Sequence, residues 1–143
     1  MTTGVQAETL PCRHVLTLPA MGSAVRMARE TTELILVEAG IGLRHPSRGP
    51  ALLILSELVT NVIRHAAACS PTLTITYTAG PGAFAFAVHD RHPYQPAPCQ
   101  ALAAAPHSGL AMVATMTVEL GGTAPVRPDA DGCGESICIT LPV

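Results

Sequence analysis

SELVTNVIRHA, Ser56 to Ala66, decides the reading of this chain. Glu57 and Asn61 stand four residues apart in a segment that is otherwise mostly apolar, and at that spacing both side chains leave one face of a helix. On a helical wheel Asn61 falls about 40° from Glu57, with Arg64 and His65 within about 80°. Leu53 and Ile54 share that sector, so the expected direction of this face is inward. A carboxylate and a carboxamide on an inward face are costly unless something satisfies them. A bound metal or phosphate would do so.

The rest of the chain narrows the choice of ligand. With 143 residues, 48% of them hydrophobic and 13% charged, it suits one domain with a modest core. Two Phe, two Tyr and no Trp offer little platform for stacking bases, and a net charge of −2 without a basic run argues against nucleic acid. No apolar run approaches the roughly 20 residues needed to span a bilayer. The N-terminus lacks a basic segment followed by an apolar one, so it does not read as a secretion signal. Five Cys, at 12, 69, 99, 133 and 138, form no CxxC pair. An odd, scattered count reads as reduced thiols in a cytoplasmic protein.

Residues 1–11 read as a flexible leader, and 12–143 as one domain. Arg13 to Leu18 forms a short strand, and a helix runs from Ala24 to about Ala39 behind Ser23 as N-cap. GLRHPSRGP is a loop, and the Glu57 helix follows Pro50, from Ala51 to about Ala67. Leu73, Ile75 and Tyr77 alternate with threonines in one strand, and Phe84, Phe86 and Val88 with small residues in the next. The turn Ala79-Gly80-Pro81-Gly82 joins them into a hairpin. Residues 91–107 carry four prolines and read as a lid loop. A helix from Ser108 or Gly109 to about Leu120, a short segment near Thr123 to Arg127, and a strand Ser136 to Leu141 complete the chain. This order predicts an α+β two-layer sandwich with a mixed, largely antiparallel sheet and helices on one face.

Three stations therefore recur in order: Glu57 and Asn61 on a helix, Asp90 after a strand, and Ser108-Gly109-Leu110 opening a helix. A Gly at a helix start lets backbone N–H groups approach a phosphate, whose charge the helix dipole favours. Two His around Asp90, His89 and His92, together with His14, suggest a transition-metal site. Successive strand residues point to opposite faces, which argues against it.

The three stations together resemble the GHKL ATPases, whose domain is the Bergerat, or histidine-kinase-like ATPase, fold. Within them the chain is most similar to small actinobacterial ATP-binding proteins of the anti-sigma-factor serine/threonine kinase type, over about Leu16 to Pro142. SELVTNVIRHA differs from the pattern SELVTNAVRHA only at Val62-Ile63. The resemblance implies ATP and Mg²⁺ as cofactors. It gives Asn61 the metal, Glu57 the positioning or activation of the attacking group, and Asp90 the adenine amino group. Arg64, His65, Ser108, Gly109, Leu110 and Ser136 would line the nucleotide site, Ser136 standing in for a Thr. It implies protein partners, a sigma factor or an anti-anti-sigma-like protein, and admits a homodimer. It also exposes three departures: His107 for the first Gly of the third motif, Ser108 for its basic residue, and Glu135 where relatives often carry Lys, near the expected phosphate side. These leave a catalytically weak nucleotide-sensing module as the alternative to a kinase.

Overall fold

The computed structural model describes residues 12–65, 71–91, 109–130 and 134–143. Five strands and three helices follow in the order β1 (Cys12–Pro19), α1 (Ser23–Glu38), α2 (Arg48–His65), β2 (Thr72–Gly80), β3 (Ala83–Asp90), α3 (Gly109–Glu119), β4 (Val126–Pro128) and β5 (Glu135–Pro142). The sheet order is β1-β2-β3-β5-β4. Every neighbouring pair is antiparallel. The largely antiparallel sheet expected from sequence is antiparallel at every pair among the described strands.

Alternation sorts the sheet into two faces. Leu73, Ile75, Tyr77, Phe84, Phe86, Val88, Ile139 and Leu141 form one buried face and join Leu36, Leu55, Leu58 and Val59 of the helices in a single core. The other face carries small residues, Ala83 and Ala85 among them, which are buried apart from that core. Tyr77 crosses between layers: its hydroxyl lies 2.7 Å from Thr32 Oγ1, which itself donates to the Ala28 carbonyl at 2.7 Å. Thr32 has one proton to give, so the Tyr77 hydroxyl is the donor to Thr32. Burial pushes the Tyr77 pKa up to about 12, which keeps that donor protonated.

Turn chemistry fixes the joints. Pro81-Gly82 closes the β2–β3 hairpin with Gly82 at φ +78°, the positive φ that a type II turn requires at its third position. Gly121, at φ +81°, ends α3, and the Gly122 amide donates to the Thr117 carbonyl at 2.8 Å. Two boundaries move. α2 begins at Arg48, not after Pro50, because a proline in the first helical turn lacks only an amide that would have no intrahelical partner. α1 starts at Ser23 with Gly22 as N-cap and no side-chain cap bond, so Ser23 is the first helical residue rather than the cap. The 1–11 leader lies outside the described residues, as does the loop beyond Arg91.

Candidate functional site

α2 supplies the first station, and its inner row differs from the expected one. Ala51, Leu55, Leu58, Val59 and Val62 are buried, whereas Leu53 is 40% exposed. Glu57 and Asn61, in line with Leu53, are half-buried and Arg64 is exposed. The pair therefore occupies a half-open flank of α2, not its core face. The physical reason is that the apolar rows 51–55–58–62 and 54–58 suffice to cover the sheet. The row 53–57–61 is left at the rim, where a ligand can reach it.

α2 packs against both β3 and α3, so the three stations sit on adjacent elements. Asp90 is the last residue of β3 and shares the helix-facing side with Phe84, Phe86 and Val88. It is 8% exposed, a carboxylate at the end of an otherwise apolar row. Gly109 is the first residue of α3, which places the helix's first amides at the third station. Leu110 is half-buried and packs against the core, so its side chain has a structural role there. Ser108, His107 and the side chain of His65 lie outside the described residues.

Register with β3 places two residues of β5. Antiparallel pairing sets Glu135 opposite Asp90 and Ser136 opposite His89. Glu135, also 8% exposed, thus faces the helices beside Asp90. Ser136 points to the outer face and is not brought together with Asp90. Neighbouring strand residues take opposite faces, which separates the two.

Sequence reading missed Asp129 altogether. Its carboxylate lies 2.8 and 3.0 Å from His89 Nε2 and 3.1 Å from Arg91 Nη1. Its amide donates to the Gly134 carbonyl at 2.8 Å. His89 is therefore engaged with a carboxylate on the outer face, and His14 lies 3.4 Å from Glu38 at the other end of the sheet. Among the described residues no three His, Cys, Asp or Glu converge as metal ligands; His92 lies outside the described residues. In sequence Asp129 stands in PDADGCGE, residues 128–135, where Asp and Gly signal a turn and no particular chemistry.

Gly134 locks this corner. A Cβ there would lie 2.5 Å from the Asp90 carbonyl oxygen and 2.7 Å from Asp129 Oδ2, closer than atoms can pack. Gly134→Ala is expected to push β5 from the end of β3, costing about 1–3 kcal/mol by overpacking. Chemical denaturation should show that loss, with the amides of residues 89–91 exchanging faster; an unchanged midpoint would refute the close fit.

A model of the histidine kinase-like ATPase domain matches residues 18–128. No curated protein sequence matches. Among solved structures, the chain is similar to "the RsbU and RsbW domains of Rv1364c from Mycobacterium tuberculosis" at a TM-score of 0.66 and 23% identity. That match covers 93% of this chain and 33% of the other, so the chain spans about a third of that protein's length. At this identity the likeness bears on fold alone. No helix among the described residues is long and apolar enough to cross a membrane. With the domain match spanning α1 to β4, the chain belongs to the histidine kinase-like ATPase family.

Proposed function

We propose that the chain is an ATP–Mg²⁺-binding regulator that phosphorylates a Ser or Thr of a partner protein, in the manner of anti-sigma-factor kinases. The observation that carries this reading is the placement of Glu57 and Asn61 on the half-open flank of α2, which packs against β3, the strand ending in Asp90, and α3. The donor chemistry fits Mg²⁺: one carboxamide oxygen at the rim, with phosphates and water left to complete a hard-oxygen shell. Asn61 would hold that ion, which neutralises charge on the transferring phosphoryl group. Asp90 accepts the exocyclic amine of adenine, and the first amides of α3 meet the phosphates. Glu57, one turn before Asn61, orients the incoming hydroxyl or takes its proton. The partner is a sigma factor or an anti-anti-sigma-like protein, as the resemblance implies.

One observation favours a second reading, a nucleotide-sensing module with little turnover. Glu135 brings a second carboxylate beside Asp90 on the same face. Like charges in a half-dry site oppose an electron-rich base. Calorimetry and phosphotransfer assays separate the two. The kinase reading expects saturable heat with ATP and Mg²⁺, and a Glu57→Gln variant that keeps this heat while losing phosphotransfer by about 100-fold or more. Binding with no transfer by the wild type would favour the sensor. Absence of heat at millimolar nucleotide would sink both.

A further inference from the structure

Asp90 occupies the last rung of β3, where the sheet holds it from one side. It pairs with Glu135 of β5, whereas the ladder to β2 stops one residue earlier, at His89 and Thr74. Glu135 presents a second buried carboxylate on the same face, so a swing of Asp90 toward it brings like charges together. An acceptor that must meet one exocyclic amine works best when its direction is fixed beforehand.

Asp129, directly after β4, fixes the chain on both sides of Asp90. His89 precedes Asp90 and Arg91 follows it, and both donate to the one carboxylate. His89 Nε2 lies 2.8 Å from Oδ2 and 3.0 Å from Oδ1, and Arg91 Nη1 lies 3.1 Å from Oδ2. A bond to a carboxylate requires the proton on Nε2, so the Asp129 charge also sets the state of the His89 ring. Side chains of His89 and Asp129 are only 30% and 22% exposed, and bonds to an ionised acceptor sheltered in this way are the stronger kind. The main chain adds a third tie. The Asp129 amide donates to the Gly134 carbonyl at 2.8 Å, and Gly134 lies against the Asp90 carbonyl with no room for a Cβ. His89 leaves the sheet on the face opposite Asp90, so Asp129 acts through the backbone and does not reach the base itself.

We infer that Asp129 is a positioning residue for base recognition: by tying His89, Arg91 and Gly134 together it aims the Asp90 carboxylate at the amine of adenine. This role rests on the nucleotide reading of Asp90. Asp129 lies one residue past the stretch 18–128 that matches the domain model.

Calorimetry of the full chain with ATP and with inosine triphosphate tests the role. Inosine carries a carbonyl where adenine carries the amine, so it offers Asp90 no donor. The wild type should prefer ATP by about tenfold or more. Asp129→Ala and the nearly isosteric Asp129→Asn should each weaken ATP, the first by about tenfold, and leave inosine triphosphate within about twofold. Such a selective loss distinguishes aiming from general damage, which weakens both nucleotides alike. His89→Gln, which keeps a donor near the place of Nε2, should retain the preference, and His89→Leu, which has none, should lose it. An Asp129 variant with the full preference, a proportional loss of both nucleotides, or a His89→Leu variant as selective as the wild type would overturn the inference and leave the nucleotide reading standing. A wild type that binds both nucleotides alike, or neither, would overturn that reading and this role with it.

Discussion

Phe86→Ala is expected to cost about 3–5 kcal/mol of folding stability. Phe86 is 2% exposed in the middle of the central strand, in register with Tyr77 on one side and Ile139 on the other. Its ring lies 6.0 Å from that of Phe84. Its aromatic neighbours Tyr77 and Phe84 are themselves fully buried in the core, so filling the vacated volume would cost their own packing. Small domains have about 5–15 kcal/mol in all, so the variant should lose about a fifth of it or more. Urea unfolding gives the measurement, and a loss below about 1 kcal/mol would show that the two layers collapse onto the gap.

Asn61→Ala should lose the magnesium-dependent part of ATP affinity, on the order of 100-fold or about 2.7 kcal/mol. Folding should change little, because Asn61 sits half-buried at the rim and not among the buried residues of α2. Calorimetric titrations with Mg²⁺ and with EDTA separate the parts: the wild type should weaken on chelation, and the variant should bind equally in both. A variant that still responds to Mg²⁺ would remove Asn61 from the metal shell. The contrast with Glu57→Gln matters here, since that change is expected to spare binding and stop transfer.

Most of the architecture was legible in the residues. The β2–β3 hairpin followed from alternation around Pro81-Gly82, and α3 from its closing glycines. The family was legible as a resemblance, carried by Ser56 to Ala66 together with Asp90 and Ser108-Gly109-Leu110 in that order. What escaped reading depended on partners distant in sequence. Helical spacing shows that Glu57 and Asn61 share a sector with Leu53, but which sector meets the sheet depends on how α1, α3 and β3 surround α2. The faces of Ser136 and Glu135 likewise depend on register with β3, which sets them opposite His89 and Asp90. Asp129 could not be found from any motif, since its meaning arises only when β4 returns beside His89 and Arg91.

The antiparallel order β1-β2-β3-β5-β4 also has a kinetic consequence. The β2–β3 and β4–β5 pairs join strands close in the chain, but Cys12 must find Ala79, and Asp90 must find Glu135. Closing such long loops before any contact rewards them makes a fold slow to assemble. In vectorial synthesis β5 emerges after all the other strands. The corner around Asp90, Gly134 and Asp129 is therefore the last part of the domain to form. Nucleotide captured there would act late, on a chain whose hairpin and helices are already in place.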